Sequence, residues 1–267
     1  MSVSIQKANF WKRISAWMFD AILTIMLAMG FCLIAVNVIH YDDISNEYRA
    51  HVQQYYEEYG AKYGVDLSLS QEDYDAMDDR EKQEYNEKKA EAEKEMNVAM
   101  GKDKVLSKRY SKVFGSTLLI IAVGALASHL ILHFAVPVLF KNGQTLGKKI
   151  FGIAVMRTNC MKVSTPVLFI RSVVGLYMME TMVPLFMVLM IYFGYLGIIG
   201  TAMIFLLMAL QIGVMIKTTT NSSIHDLLTD TMVVDFASQR IFDTEEELTE
   251  YLAEQKQLSE ANEAANV

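Results

Sequence analysis

Long runs of apolar residues alternate with strongly polar segments along this chain. Residues 14–39 contain one charged side chain, Asp20; residues 113–139 contain none; and residues 172–216 contain one, Glu180. A helix of roughly 20 apolar residues crosses a hydrocarbon core about 30 Å thick. The first two runs therefore each supply one span, and the third is long enough for two. The pattern predicts an integral membrane protein with four spanning helices.

The polar segment between the first two runs, residues 40–112, is helical in character. Tyr, Glu and Gln are frequent in its first half, and Ala, Glu and Lys at helical spacing dominate the second half. Gly60 and Gly64 are expected to break the first helix, and Ser68 with Gln71 forms a capping-box pattern that would open another. We expect a helical hairpin, which is either a solvated spacer or a docking surface for a protein partner.

Charge decides the expected orientation. Acidic charge is concentrated in residues 40–112, with 18 acidic and 12 basic side chains, and in the tail from Asp235, with 9 acidic and 2 basic. The short segments beside the spans carry basic residues instead, namely Lys7, Lys12, Arg13, Lys141, Lys148, Lys149, Arg157, Lys162 and Arg171. Short basic loops stay in the cytoplasm, whereas long loops translocate largely regardless of charge. We therefore expect a multi-pass protein of the cell membrane with both termini inside and residues 40–112 outside.

Several other classes of protein are disfavoured. The first apolar run is too long for the h-region of a signal peptide, and Cys32 and Cys160 are too few for a disulfide scaffold. The Gly-Gln-Thr-Leu-Gly segment at 143–147 has three residues between its glycines, where a P-loop needs four. Since no nucleophile–base pair or cofactor fingerprint is present, we expect neither an enzyme nor a cofactor, and no nucleic-acid partner.

Asp20 is the most informative single residue. A carboxylate at the centre of a spanning helix costs about 2.5–3.5 kcal/mol on insertion scales, so it normally faces a partner or a water-filled cavity. Arg13 lies seven residues earlier on nearly the same helical face, about 10 Å away along the axis, so a third group is expected to bridge the two. Asp20 is either an ion or proton site or a hydrogen-bonding residue that fixes helix packing.

Three further ionisable residues fall within the apolar runs. His129 and His133 are four residues apart, hence on one helical face, and are weak candidates for a metal or proton site. The alternative is a pair of neutral histidines satisfied within the bundle. Glu180 lies inside the membrane if the third span begins near Ser172, and at its surface if the span begins near Pro184.

Three separated motifs together resemble the RDD family of bacterial membrane proteins. The first is Trp-Lys-Arg-Ile-Ser-Ala-Trp-Met-Phe-Asp at 11–20; the second is the segment from Gly143 to Val155, followed by Arg171; and the third is His-Asp-Leu-Leu-Thr-Asp-Thr at 225–231. The residues that name the family correspond to Arg13, Asp20 and Asp226. Asp230 departs from the pattern, because the family commonly has glycine there.

The resemblance implies a transport-related function, since some family members are proposed to exchange cations for protons. In that case Asp20 would be the ion or proton carboxylate, and Arg13, Arg171 and Asp226, all expected at one membrane level, would clamp the helix ends or control access to it. Glu180 and Asp230 would support this site. The rival hypothesis is a membrane adaptor that recruits a partner through residues 40–112 or the acidic tail.

The expected fold is an all-α membrane protein, a four-span helical bundle with an extracytoplasmic helical hairpin insertion. Its predicted parts are the N-terminus and first span, residues 1–39; the inserted segment, 40–112; spans two to four with a cytoplasmic loop, 113–236; and an acidic cytoplasmic tail, 237–267. A tail helix capped by Asp243 or Thr244 is predicted. The lipid bilayer is the expected partner, and the pattern leaves a homo-oligomer open.

Overall fold

The computed structural model describes residues 3–218 and 222–265, with side chains to residue 260. The elements in chain order are α1 (Phe10–Val38), α2 (Tyr41–Tyr63), α3 (Gln71–Ala76), α4 (Asp79–Lys102), α5 (Lys104–His129), α6 (Val136–Phe140), α7 (Leu146–Ile150), β1 (Ile153–Arg157), α8 (Thr165–Phe169), α9 (Val183–Tyr192), α10 (Gly197–Lys217), α11 (Ile224–Leu228), β2 (Thr231–Asp235) and α12 (Glu245–Ala265). π-Helical segments join α5 to α6 (Leu130–Ala135) and α8 to α9 (Ile170–Met182).

Within the described residues, four helices are long and apolar enough to cross a membrane. In chain order, spans 1 to 4 are Phe10–Val38, Lys104–Phe140, Thr165–Tyr192 and Gly197–Lys217. The predicted all-α membrane bundle with four spans is thereby confirmed. Only 6% of the most apolar window of spans 1 and 4 is buried within the protein. The remaining surface of these helices is suited to contact with lipid.

Both π-helical segments lie just before a proline. The segment in span 2 ends two residues before Pro137, and the segment in span 3 ends two residues before Pro184. Proline has no backbone N–H to donate, and its ring clashes with the carbonyl four residues earlier, so the helix must widen or bend there. Wider turns of this kind are often found at functional sites.

Residues 33–121 form one compact unit of the chain. Its core lies between α2 and α4, where Val65, Leu67, Ala92 and Met96 are buried against a set of tyrosines. The side chains of Tyr55 and Lys62 reach Asp103 and Glu95, respectively, so the two helices are antiparallel. This is the helical hairpin that the sequence predicts.

The ends of these helices correct two expectations. Gly60 does not break α2, because it lies inside the helix, buried, where a Cβ would lie 2.8 Å from the Val65 carbonyl oxygen. Gly64 alone ends the helix, in the left-handed conformation (φ 61°) that favours glycine.

Ser68 does not open the second helix either. Its backbone N–H donates to Asp66 in a turn, and the hairpin continues as two helices with different caps. Ser70 caps α3, and Asp78 caps α4 in a complete capping box with Glu81.

The other unit contains the remaining described residues and includes a small sheet that the sequence did not predict. Strands β1 and β2 pair antiparallel, with Ile153 opposite Asp235 and Val155 opposite Val233. The N-terminal segment adds an isolated bridge from Lys7 to Val234. Each strand is a five-residue run, too short to distinguish from loop by pattern alone, and its partner is about 80 residues away along the chain.

The acidic tail docks on this sheet. Thr244 caps α12 by accepting from the backbone N–H of Glu247, as predicted. Phe242 is fully buried in a core cluster of the sheet, against which Leu248 and Tyr251 pack. The first turns of the tail helix therefore belong to the same unit as the sheet.

Candidate functional site

Asp226 is the central side chain of a charged cluster at one end of the spans. It is fully buried at the start of α11, where it makes reciprocal capping contacts with Ser223. The Ser223 hydroxyl donates to Asp226 Oδ2 over 2.8 Å, and the Ser223 backbone N–H donates to the same oxygen over 3.2 Å. This cap helps to fix the position of the carboxylate.

Two arginines from different spans converge on that carboxylate. Arg171 of span 3 donates from Nε to Asp226 Oδ1 over 3.1 Å and also from Nη2. Arg13 of span 1 donates from Nη2 to Asp226 Oδ2 over 3.4 Å. Asp226 thus joins the ends of spans 1 and 3 to the segment that follows span 4.

Electrostatics keep Asp226 ionised. Burial opposes its charged form, but Arg171, then His225 and Arg13 outweigh that effect and hold the pKa of the carboxyl well below its usual range. The ring of His225 lies with Nε2 3.6 Å from Asp226 Oδ1. Asp226 is therefore a fixed negative charge at physiological pH.

His225 and Glu180 form a second polar pair beside the first. The His225 backbone N–H and ring Nδ1 both lie within 2.9 Å of Glu180 Oε1. Arg171 Nη2 lies 2.9 Å from the other ring nitrogen, Nε2. A guanidinium can only donate, so Nε2 is the acceptor in the contact with Arg171. Glu180 Oε1 accepts from the backbone N–H of His225 and lies beside its ring.

Asp20 is held by the loop after span 2. Its side chain accepts a short hydrogen bond from the hydroxyl of Thr145 and one of 2.8 Å from the backbone N–H of Gly147. Thr145 is the N-terminal cap of α7, so the carboxylate lies against the positive end of that short helix. Gly147 is required there, because a Cβ would lie 2.4 Å from the Ala16 carbonyl oxygen and 2.9 Å from Asp20 Cγ.

Lys148 follows directly and lies among the same charges. Burial and then the nearby Arg171 lower its pKa to about 8, although Asp20 and Asp226 oppose the shift. Its ammonium makes no ion pair within 4.0 Å among the residues that the structure describes. Lys148 is thus a partly buried cation that can lose its proton near physiological pH.

The two candidate histidines of span 2 are satisfied by hydroxyl and carbonyl groups. His129 Nδ1 lies 2.9 Å from the Ala125 carbonyl oxygen, and its Nε2 lies 3.2 Å from Thr181 Oγ1. His133 Nε2 lies 2.9 Å from Thr24 Oγ1. In the described part of the chain, no group of three or more His, Cys, Asp and Glu residues is placed to hold a metal ion.

The structure brings most of the predicted site residues together. Arg13, Arg171 and Asp226 are in contact, and Asp20 does not touch Arg13 by any described hydrogen bond or ion pair, as its distance along the helix implied. Glu180 lies within the helix of span 3, and it joins the group through its contact with His225 of α11. Asp230 does not join it: it is exposed at a turn with φ 51° and accepts from Thr158.

Sequence reasoning missed how the second motif contributes. Thr145, Gly147 and Lys148 belong to the site, although the sequence presents the segment 143–147 only as a failed P-loop and as a family motif. The available signal was the threonine between the two glycines, because Thr often caps the start of a helix. Nothing local in the sequence named Asp20, 125 residues away from Thr145, as its partner.

Fold and site together define a multi-span helical membrane protein with a buried cluster of paired charges at one end of its spans. The model of the RDD family matches residues 7–230, and this chain belongs to that family. Neither the curated proteins nor the solved structures contain a detectable match to it.

Proposed function

We propose that this protein is a transporter-like membrane protein, rather than an enzyme, and that it exchanges a small cation for protons at the cluster around Asp20 and Lys148. One observation carries the proposal: a buried carboxylate lies beside a lysine whose pKa is about 8 and whose ammonium has no ion-pair partner in the described structure. Ionisable groups within a membrane bundle are costly and commonly mark ion or proton pathways.

The formal charges of the cluster support competition between a proton and a cation. Its cations are Arg13, Lys148 and Arg171, and its anions are Asp20, Glu180 and Asp226. With His225 left out of the sum, these formal charges balance while Lys148 is protonated. When Lys148 loses its proton, the cluster has one net negative charge, which favours the entry of a monovalent cation.

The oxygen atoms near Asp20 are suitable ligands for such a cation. The Ala16 carbonyl oxygen and Asp20 Oδ1 both lie within 3.0 Å of the position that a Cβ on Gly147 would occupy. The hydroxyl of Thr145 contacts the second carboxylate oxygen. Hard cations prefer carboxylate, carbonyl and hydroxyl oxygens. We propose that the cation binds at Asp20 while Lys148 is neutral, and that protonation of Lys148 expels it.

Proton flux driven by a cation gradient in proteoliposomes tests this proposal. We expect wild type to exchange protons for at least one alkali cation, and Asp20→Asn to fold normally but lose exchange. Lys148→Arg keeps the charge without titrating near pH 8 and should also lose exchange, whereas Lys149→Arg, at the neighbouring exposed lysine, should retain it. Absence of flux from wild type across alkali cations and pH would refute the transport proposal.

A second candidate function, a membrane adaptor, is favoured by the compact unit at residues 33–121. This unit has its own core between α2 and α4 and its own helix caps, which a passive spacer does not need. An adaptor would keep its partner after Asp20→Asn and lose it when residues 45–103 are replaced by a short linker. A transporter would show the opposite dependence.

A further inference from the structure

A cavity of about 150 Å³ lies between the adjoining ends of spans 2 and 3, apart from the Asp20 cluster. It is lined by Pro137, Val138, Lys141, Lys162, Val163, Thr165 and Leu168. These residues come from α6, from the start of α8 and from the loop between them. The cavity therefore lies where span 2 ends and span 3 begins.

The floor of the cavity is apolar. Val163 and Leu168 are buried together with Val155 of strand β1, and Val138 packs against them. The residues that follow Val138 and Leu168 in the chain are apolar and exposed. Leu139 is 75% exposed and Phe169 is 44% exposed. An amphipathic ligand would find apolar surface along the adjacent helices, while the surface that the cavity itself exposes is mainly polar.

The rim of the cavity is cationic. Lys141 and Lys162 lie on it, and no carboxylate is among the lining residues. Lys162 donates to Asp243 over 2.9 Å, but both side chains of that pair are exposed, and such pairs contribute only about 0–1 kcal/mol. An anion with more than one charged oxygen can therefore compete for this lysine.

A third cation lies on the same side of the neighbouring strand. Arg157 alternates with Met156 along β1, so it shares the strand face of Val155, which packs against the cavity floor. The Nε atom of Arg157 is buried and has no hydrogen-bond partner in the described part of the chain. Arg157 does not line the cavity, so it adds positive charge to this side of the strand rather than a direct contact with a bound anion.

We propose that this cavity binds the phosphate headgroup of an anionic phospholipid, with Lys141 and Lys162 pairing with the phosphate and the acyl chains lying along spans 2 and 3. A cavity of about 150 Å³ has room for a phosphate and its ester oxygens but not for acyl chains. Basic pockets between spans at the membrane surface are suited to anionic headgroups. The exposed apolar side chains beside the cavity, Leu139 and Phe169, favour a lipid over free phosphate. The proposal is independent of transport, since it uses none of the residues assigned to exchange.

Lipid retention by the purified full-length protein tests the site. Protein reconstituted with equal amounts of phosphatidylglycerol and phosphatidylcholine is extracted, and bound lipid is counted by native mass spectrometry. We expect wild type to keep phosphatidylglycerol selectively. The double variant Lys141→Gln with Lys162→Gln should bind it roughly 10- to 30-fold more weakly, since each lysine near an anionic surface contributes about 1 kcal/mol. Lys141→Arg with Lys162→Arg should retain it.

The matched control is the double variant Lys7→Gln with Lys149→Gln. It removes two lysines from other segments that lie beside the ends of the spans. Equal losses from the control and the cavity variant would mean general surface attraction and would overturn the proposal. Equal retention of the two lipids by wild type would do the same. Inorganic phosphate that displaces the lipid at millimolar concentration would show a site for free phosphate instead. A melting temperature measured for each variant excludes misfolding as the cause of lipid loss.

Discussion

The backbone N–H of Gly147 donates a hydrogen bond of 2.8 Å to Oδ1 of Asp20, which lies 127 residues earlier in the chain. This contact joins the loop after span 2 to the first half of span 1. It gives a buried carboxylate a fixed donor, and it places Lys148, the next residue, among the charges of the site. Much of the proposed chemistry therefore depends on how closely these two backbones approach.

Replacement of Gly147 by Ala should destabilise the protein. The added Cβ would lie 2.4 Å from the Ala16 carbonyl oxygen, so α7 and span 1 would have to separate. Overpacking of this kind costs about 1–3 kcal/mol, and we expect a lower melting temperature in detergent. Gly213→Ala is the matched control, because nothing lies within 4 Å of its Cβ position. A Gly147→Ala protein as stable as the control would contradict the contact.

Removal of the Asp226 carboxylate should strongly lower the yield of folded protein. Asp226→Ala leaves Arg171 and Arg13 without their shared anion in a buried site, and such losses cost about 3–5 kcal/mol. Lys12→Ala, which breaks the exposed pair with Asp235, should cost less than about 1 kcal/mol. Size-exclusion profiles of fluorescent fusions report the folded fraction.

Coupling between Arg171 and Asp226 is a separate prediction. The double variant Arg171→Ala with Asp226→Ala should be less destabilised than the sum of the two single variants, because neither charge is then left unpaired. Arg13 approaches the carboxylate less closely, at 3.4 Å, so its coupling to Asp226 should be smaller. Additive effects of Arg171 and Asp226 on the melting temperature would show that they are not energetic partners.

Stability should depend on pH through Lys148. Its pKa in the folded protein is about 8, below the ordinary lysine value of 10.5. Between these values the unfolded chain binds more protons, so raising the pH through this window stabilises the folded state. The melting temperature of wild type minus that of Lys148→Met should therefore rise from pH 7.5 to pH 10. The same difference measured with Lys149→Met should stay flat, and a flat response for Lys148 would contradict the lowered pKa.

Accessibility of single cysteines tests the predicted orientation. In a background with Cys32 and Cys160 replaced, we expect a membrane-impermeant thiol reagent to label a cysteine at position 75 in intact cells. Cysteines at 149 and 246 should react only after the membrane is permeabilised. All three positions are exposed in the structure, so differences in labelling report the side of the membrane. Labelling at position 149 in intact cells would show the opposite orientation in the membrane.

The sequence by itself determined the membrane class and the four spans. The length and polarity of an apolar run are local properties, and they decide whether a helix can cross a bilayer. It also placed Arg13, Arg171 and Asp226 at one level, since each lies beside a span end. The tail helix followed in the same way from its cap at Thr244.

Only the tertiary structure decided which of these groups are partners. Asp20 meets Thr145 and Gly147, and β1 meets β2, across long separations in sequence. Such pairings depend on how the spans pack against one another, which hydropathy does not encode. The lowered pKa of Lys148 follows from the same packing, because it depends on burial and on the positions of Arg171 and the carboxylates rather than on neighbouring residues in the chain.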